Sequence, residues 1–297
     1  MMGEETPRQS IQRPPYHTMV FVIHGGPLEA KSALLAASLA EYYRPGKIIV
    51  RVMQPVETWG KIGSDTSALL DRLGIEMRLG QNRIDETYPH GNKITAMEDI
   101  EGPAIFLDSD ILLLCPFSWH YSLNADAALR PADIDTFSQG GGSWTRVWDT
   151  FDLPMPAKSY KATLTKEKMF PYFNAGFIAV QNGRAFTDAW LVAAQKIDAD
   201  TRIINKRPWL DQVAIPIALA RLGWDVRELH PAFNFPSHLS PMLNGIPYFS
   251  HYHTPDIIAR NRKLLFTTRR LVEKNAELKS IFSRYDEWVP VLKKLQY

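Results

Sequence analysis

The N-terminal part of the chain alternates between two apolar patterns that together restrict the fold. Thr18–Ile23 is a short apolar run with β-branched residues that stops at a Gly-Gly-Pro turn, and it predicts a buried strand. The Ala- and Leu-rich residues 29–43 predict a helix, and residues 47–53 predict a second strand. A strand, a helix and a strand in succession form a right-handed unit whose strands run parallel. An α/β chain with a parallel or mixed sheet is therefore expected.

The alternation continues to about residue 258, so we expect one sheet flanked by helices without a second domain. Residues 92–100 are predicted to form a helix capped by Asn92. The remaining predicted helices are near residues 67–73, 184–196 and 209–222, and the predicted strands are residues 75–79, 104–107, 111–114, 127–129, 172–180, 224–229 and 246–251.

Composition excludes several classes of protein. Of the 297 residues, 45% are hydrophobic and 22% charged, as in an ordinary globular domain. The net charge of +2 gives no global electrostatic signal for nucleic acid. Cys115 is the only cysteine, so a reducing compartment is expected. No apolar run reaches the roughly 18 residues of a membrane span, and residues 1–17, predicted to be a disordered leader, lack the apolar core of a signal peptide. We expect a cytoplasmic protein.

The C-terminal segment, residues 259–297, differs from the rest in charge. It carries ten Lys or Arg against four Asp or Glu, a local net charge of +6, on helices with apolar stripes. Such a segment either packs on the domain with a solvated basic face or lies on the anionic inner face of a membrane, with Trp288, Leu292 and Leu295 in contact with lipid.

Two aspartates interrupt an apolar run. Eight of the eleven residues from Ala104 to Leu114 are apolar, and Asp108 and Asp110 lie at the centre of the run. Buried carboxylates need a metal, a basic partner or a strand end that faces solvent. Their i,i+2 spacing puts both on one side of an extended backbone, within reach of one divalent cation. The alternative is a turn in which each aspartate bonds to its own backbone.

Basic and imidazole groups provide further candidates. Lys93, in the first turn of the predicted helix, opposes the helix dipole unless an anion binds there; the alternative is a solvated surface lysine. His251 and His253 alternate along a strand, so both imidazoles are expected on one face, where they could bind Mn²⁺ or Zn²⁺. Packing is the alternative for both histidines.

Two further segments carry small polar patterns. Asn174 and Gly176 lie near the start of a predicted strand, where small residues let a ligand approach the backbone closely, unless they form a β-bulge. Asp211 and Gln212 begin a predicted helix, and the helix dipole alone would favour an acidic residue there.

These motifs, in their order along residues 18–258, resemble those of the nucleotide-sugar glycosyltransferases of the GT-A fold. More narrowly, they resemble glycosyltransferase family 8, which includes glycogenin and bacterial lipopolysaccharide galactosyl- and glucosyltransferases. The matching motifs are Lys93, Phe-Leu-Asp-Ser-Asp at 106–110, Tyr-Phe-Asn-Ala-Gly-Phe at 172–177, Trp-Leu-Asp-Gln at 209–212 and His-Tyr at 251–252. The family's glycine and Lys-Pro-Trp segment after the late histidine is absent, and His253-Thr-Pro stands there instead.

The resemblance implies a function and a site. A sugar, most often carried by UDP, would move to a hydroxyl of a sugar or glycolipid acceptor with retention. Mn²⁺ or Mg²⁺ would be held by two aspartates and one or two histidines: Asp108, Asp110, His251 and His253. Donor contacts would come from His24, Gly25, Lys93, Asp108, Ser109, Asp110, Asn174 and Gly176. Asn174, and Asp211 at the start of a predicted helix, would hold hydroxyls of the donor sugar. Gln212 would lie on the β face of the anomeric carbon.

Two other functions stay open from the residues. A sugar-phosphate nucleotidyltransferase shares the parallel sheet but needs a basic, glycine-rich loop after the first strand. Here no Arg or Lys lies between that strand and Lys31. A non-catalytic nucleotide-sugar-binding protein would not need two aspartates and a histidine.

For a transferase, we predict that residues 138–143, with three adjacent glycines, form a mobile lid. Trp144 and Trp148 would then offer flat surface to the acceptor sugar.

Overall fold

A seven-stranded sheet lies at the centre of the computed structural model, which describes residues 17–43, 46–116, 125–240, 242 and 245–296. Apart from His17, the predicted leader lies outside the described residues. The strands of the described part are β1 (Thr18–Ile23), β2 (Ile48–Gln54), β3 (Glu76–Gln81), β4 (Ala104–Leu107), β5 (Ile111–Leu113), β6 (Ala127–Pro131), β7 (Tyr160–Lys161), β8 (Lys168–Met169), β9 (Phe173–Val180), β10 (Val226–Glu228), β11 (Phe235–Pro236) and β12 (Phe249–His251).

The strand order of the central sheet is β10-β6-β9-β4-β1-β2-β3. β1 pairs in parallel with β2 and with β4, whereas β9 runs antiparallel to both β4 and β6. The expected mixed α/β sheet is therefore confirmed. Two small sheets accompany it, β11-β12-β5 and β7-β8. In the first of these, β12 pairs antiparallel with β5, directly after the aspartate motif.

Helices cover the sheet, and those over residues 27–40, 64–72, 183–199 and 210–222 match predicted segments. In the described residues they are α1 (Pro27–Ala40), α2 (Val56–Trp59), α3 (Ser64–Arg72), α4 (Thr136–Gln139), α5 (Trp144–Asp149), α6 (Gly183–Ala199), α7 (Leu210–Leu222), α8 (Pro255–Arg260), α9 (Arg262–Lys274), α10 (Glu277–Ser283) and α11 (Val289–Leu295). No described helix combines the length and the apolarity that crossing a bilayer requires.

The C-terminal helices pack on α1 through their apolar side chains. Phe282 and Trp288 are fully buried and stack at 4.0 Å between ring centroids. Leu292 and Leu295 are partly buried against the same core. A buried carboxylate fixes this contact, because Glu29 of α1 accepts hydrogen bonds from Arg284 at 3.0 Å and from the Tyr285 hydroxyl at 2.5 Å. The apolar stripe of the basic segment therefore faces the domain.

The predicted helix over residues 92–100 is wrong. The chain forms a 3₁₀ helix at Pro89–Lys93, and residues 94–99 continue as turns. Successive i to i+3 hydrogen bonds, such as Ile94 N to Gly91 O at 3.1 Å, replace the α-helical pattern. Asn92 is not the predicted N-cap of a helix. Its buried Oδ1 accepts a hydrogen bond from Asn82 Nδ2 at 2.9 Å. Lys93 therefore lies at the end of a helical turn and not at the start of a helix.

The tryptophans behind the triple glycine are core residues. Trp144 and Trp148 share one face of α5, as their spacing predicts, but both are buried. Trp144 packs edge-on against Phe137 at 4.8 Å and against Tyr172 at 5.5 Å between centroids. The expectation that these indoles offer a surface to a sugar is therefore wrong, because the domain core already covers them.

Candidate active site

One edge of the central sheet gathers most of the residues that the sequence singles out. β1 and β4 are parallel neighbours, so their carboxyl ends, followed by His24 and Asp108, lie at the same edge. β9 runs the other way, so its beginning, with Asn174, is also there. β12 brings in His251, whose register partner is Ile111 of β5. The fold therefore brings together residues that are far apart in sequence.

Lys93 links the aspartate motif to the start of α7. Its Nζ lies 2.8 Å from Asp108 Oδ1 and 3.1 Å from Asp108 Oδ2. The same Nζ lies 3.1 Å from Asp211 Oδ2. Asp211 is fully buried, and its Oδ1 accepts a hydrogen bond from the Tyr88 hydroxyl at 3.2 Å. Lys93 is therefore a largely covered cation held by two carboxylates, and not the solvated surface lysine of the alternative interpretation.

These contacts keep the Lys93 and Asp211 side chains charged. Burial alone would lower the pKa of Lys93, but Asp108 and Asp211 raise it above its usual value. Burial alone would raise the pKa of Asp211, but Lys93 and then His90 lower it to about 2. Both groups stay ionised at neutral pH, so the cleft contains a fixed cation beside the aspartate motif.

Asp110, His251 and His253 form a second cluster next to the first. His251 Nε2 lies 2.9 Å from Asp110 Oδ1, and His253 Nδ1 lies 3.6 Å from Asp110 Oδ2. One ligand atom from each of the three lies within 4.8 Å of the others. The two imidazoles stack, with centroids 3.9 Å apart and planes at 18°. They meet through a turn and not through strand alternation, because β12 ends at His251 and His253 has a φ of +60°.

The charges in this cluster are tightly linked. Burial alone would raise the pKa of Asp110, but His251 and then His253 and Lys31 hold it well below its usual value. Burial would lower the pKa of His251, but Asp110 and Asp108 raise it. Burial lowers the pKa of His253 to about 3, so that this imidazole is neutral. A carboxylate beside imidazole nitrogens is a donor set that suits a divalent transition metal.

A chain of amides fixes the orientation of the His251 ring. Asn174 Oδ1 accepts hydrogen bonds from Gly176 N at 2.8 Å and from Asn234 Nδ2 at 2.9 Å. Because Asn234 Nδ2 donates there, Asn234 Oδ1 faces His251 Nδ1 at 3.2 Å as an acceptor. His251 Nδ1–H therefore donates to Asn234 Oδ1, and at 2.9 Å Nε2–H donates to Asp110 Oδ1, so that a metal would take the place of the Nε2 proton. Asn174, expected to touch the donor sugar, supports this ring through its amide oxygen.

Gly176 gives the His251 ring its space. A Cβ on this residue would lie 2.8 Å from His251 Cε1 and 3.0 Å from His251 Nδ1. Gly25 has a comparable role at the first strand, where a Cβ would lie 2.8 Å from the Gly60 carbonyl carbon. Both glycines were predicted to contact the nucleotide; in the structure, each lets two parts of the protein approach closely.

The other predicted residues lie around this edge. Ser109 is buried and donates a hydrogen bond to Val22 O at 2.6 Å, which ties the motif to β1. His24 packs beside Trp59 at 5.4 Å between centroids, and burial lowers its pKa. Gln212 is partly exposed in the first turn of α7, next to Asp211.

A cavity of about 210 Å³ opens over the aspartate motif. Its walls come from the end of β1, the 3₁₀ helix and the end of β4: Val22, His24, Leu28, Pro89, His90, Asn92, Lys93, Phe106, Asp108, Ser109 and Asp110. Its lining combines apolar side chains with charged and polar ones, as small-ligand sites do.

Several residues of the site were not predicted. His238 lies edge-on against His253, with centroids 3.9 Å apart. Lys31 Nζ donates to His253 O at 2.8 Å, and His90 Nδ1 lies 3.8 Å from Asp211 Oδ2. No sequence motif points to Asn234, because its hydrogen-bond partner Asn174 lies 60 residues earlier in the chain. Only the tertiary fold brings these side chains to the sheet edge.

Comparisons with known proteins agree with this architecture. The profile of the Rhodobacterales glycosyltransferase domain family matches residues 19–223. The apo-form glycosyltransferase GlyE of Streptococcus pneumoniae TIGR4 superposes with a TM-score of 0.50 and 14% identity over 90% of this chain and 63% of GlyE. A second GlyE structure gives 0.48 and 14% over 91% and 64%. This chain thus spans less than two thirds of either structure, and no curated sequence matches it.

Proposed function

Because the chain belongs to the Rhodobacterales glycosyltransferase domain family, we propose that it transfers a sugar from a nucleoside-diphosphate donor, UDP-hexose above all, to a hydroxyl acceptor. The observation that carries the proposal is the pair of adjoining charged clusters, Lys93 with Asp108 and Asp211, and Asp110 with His251 and His253. Family membership favours this function over the nucleotidyltransferase and the non-catalytic binding protein.

The donor would bind with its diphosphate over the aspartate motif. Lys93 lies on the wall of the cavity, and its Nζ, now shared between Asp108 and Asp211, would also donate a hydrogen bond to a phosphate oxygen. The nucleoside would extend along the apolar wall near His24 and Leu28. Fixed charges of this kind lower the barrier because they need no reorganisation when negative charge develops on the leaving group.

The residues present fit a divalent cation. Asp110 Oδ1 and His251 Nε2 already lie 2.9 Å apart, and the Asn234 amide orients the imidazole as metal ligands are usually oriented. Asp110, His251 and His253 would hold Mn²⁺ or Mg²⁺, with Asp108 beside them. When bound, the ion supplies a Lewis acid for the departing diphosphate.

The start of α7 would bind the donor sugar. Lys93 and Tyr88 hold the buried Asp211 carboxylate in one orientation, and it would accept a hydrogen bond from a sugar hydroxyl that reaches it when the donor binds. Gln212 follows it on the exposed side of the helix. Retention would follow if the acceptor hydroxyl attacked from the face of the leaving diphosphate, with the phosphate oxygen taking the hydroxyl proton.

The acceptor is a sugar or a glycolipid. The basic C-terminal segment bears on this choice, because its apolar side packs on the domain and its lysines and arginines stay on the surface. Binding to anionic but not neutral liposomes in flotation at low salt would support a glycolipid acceptor, whereas no binding to either would support a soluble one.

Incubation of the purified chain with a panel of nucleotide sugars and Mn²⁺ tests the function. We expect nucleoside diphosphate release from one donor, faster when a hydroxyl acceptor is present, and NMR of the product should give the donor's anomeric configuration. Absence of release from every donor by the folded protein would contradict the proposal, and an inverted product would contradict retention alone.

A further inference from the structure

Lys31 of α1 reaches from the wall of the cavity to the cluster of Asp110, His251 and His253. Leu28 lines the cavity, and Lys31 follows it by about one helical turn, so both side chains lie on the same face of α1. The Lys31 Nζ donates a hydrogen bond at 2.8 Å to the carbonyl oxygen of His253, a residue 222 positions later in the chain. The ammonium therefore lies at the boundary between the cavity wall and this cluster.

The charges at this edge of the sheet leave a bound diphosphate short of positive partners. Lys93 is shared between two carboxylates, with its Nζ 2.8 Å from Asp108 Oδ1 and 3.1 Å from Asp211 Oδ2. Its positive charge is therefore offset before any ligand binds. Asp110 adds a third carboxylate on the cavity wall. Because a diphosphate brings further negative charge to the same place, its binding requires positive charge beyond that of Lys93.

The Lys31 ammonium has a charge that no described carboxylate neutralises at close range. Among the residues that the structure describes, its Nζ forms no ion pair, and its hydrogen bond goes to a neutral carbonyl oxygen. Its charge nevertheless reaches the cluster. Burial would raise the pKa of Asp110, but the two imidazoles and then Lys31 hold it below the usual value. An anion that binds beside Asp110 would therefore meet, in Lys31, a cation without a close anionic partner in the described residues.

The ammonium also keeps hydrogen-bonding capacity for a ligand. A lysine has three N–H donors, and in the described part of the chain Lys31 uses one of them. Two lysines that support the backbone elsewhere differ from it. Lys206 donates to three carbonyl oxygens near the end of α6, at 3.2, 2.6 and 2.8 Å, and Lys263 donates to two, at 3.0 and 2.7 Å. Lys31 therefore has two donors left for phosphate oxygens, which accept strong, charge-assisted hydrogen bonds.

We propose that Lys31 binds the diphosphate of the sugar donor, as a second cation together with Lys93. The inference rests on the proposed function and deepens it, because it adds a diphosphate ligand from α1. Two N–H groups of the ammonium would donate to phosphate oxygens while the third stays on the His253 carbonyl oxygen. When the bond from the sugar to the diphosphate breaks, the phosphate oxygen keeps the electron pair, and the same N–H groups would stabilise the negative charge that develops there.

Calorimetric titrations of the full chain with UDP and with UMP, at one fixed excess of Mn²⁺, test this inference. Lys31→Met removes the charge and the hydrogen bond, Lys31→Gln removes the charge and keeps a donor, and Lys31→Arg keeps the charge. Lys263→Met is the matched control, because it also removes hydrogen bonds to backbone carbonyls, and its described hydrogen bonds lie outside the cluster. Thermal unfolding of each variant shows that it is folded.

We expect Lys31→Met and Lys31→Gln to bind UDP at least about 10-fold more weakly than the wild type, with a smaller loss for UMP, which carries less phosphate charge. Lys31→Arg should stay within about threefold of the wild type, and Lys263→Met should match it. Wild-type UDP affinity in the folded Met or Gln variant, or equal losses for UDP and UMP, overturns this inference alone. Absence of UDP binding by the folded wild type overturns it together with the UDP-linked donor of the proposed function.

Discussion

Substituting Gly176 by alanine is expected to disable the site without unfolding the domain. The new Cβ would lie 2.8 Å from His251 Cε1, against about 3.4 Å for an ordinary contact, so the ring must move by about 0.6 Å. His251 is itself buried, Asn234 holds its Nδ1 and Asp110 lies 2.9 Å from its Nε2, so the ring cannot move freely. Such overpacking costs about 1–3 kcal/mol of stability, and a displaced ligand weakens metal binding about 10–100-fold.

Two measurements on Gly176→Ala separate these effects. Thermal unfolding without metal gives the stability cost, and an EPR titration with Mn²⁺ gives the affinity. Gly102→Ala is the control, because a Cβ there has no neighbour within 4 Å; it should match the wild type in both measurements. If Gly176→Ala binds Mn²⁺ as tightly as Gly102→Ala, His251 is not a metal ligand and the reasoning is refuted.

Three further predictions concern stability and its coupling to the site. Lys93→Met should destabilise by about 3–5 kcal/mol in urea unfolding, because Asp211 is left buried without its cation; a change below 1 kcal/mol would contradict that role. Trp144→Ala should cost about 3–5 kcal/mol while the acceptor KM stays unchanged, and a raised acceptor KM with little loss of stability would contradict the assignment of this indole to the core. Burial lowers the pKa of His17 to about 4 from 6.5, so the folded state resists protonation. Stability should therefore fall by at most about 3 kcal/mol as the pH drops from 6.5 to 4, and His17→Leu should lose less over that range.

The sequence predicted the elements whose apolar pattern is local. Thr18–Ile23 was predicted and observed with the same bounds, because six successive apolar or β-branched residues before a glycine turn have few other solutions. The aspartate motif was predicted at a strand end, and Asp108 directly follows β4. In both cases residues adjacent in sequence determine the local structure.

Predictions failed where tertiary contacts decide. Residues 92–100 have the pattern of a helix, yet the buried Asn82–Asn92 pair and a series of i to i+3 turns replace it. Tertiary packing also acts at the triple glycine, where Phe137 lies so close to Gly142 that a Cβ there would be 2.3 Å from its ring; the lid over residues 138–143 stays a prediction.

The same holds for the residues that support the cluster of Asp110, His251 and His253. Asn234 and His238 could not be inferred, since their partners Asn174 and His253 come from other elements. What the sequence does give is the residue types of the site; their orientation and division of roles depend on contacts across the sheet edge.

The most direct test of the account compares nucleoside diphosphate release by the wild type and by Asp110→Asn, with the preferred donor, across Mn²⁺ concentrations and in excess chelator. The account predicts acceptor-stimulated release that saturates with Mn²⁺, stops in chelator, and falls at least about 100-fold in Asp110→Asn, while His230→Ala stays at the wild-type rate. Full turnover by Asp110→Asn in chelator would contradict the claim that this sheet edge is a metal-dependent sugar-transfer site.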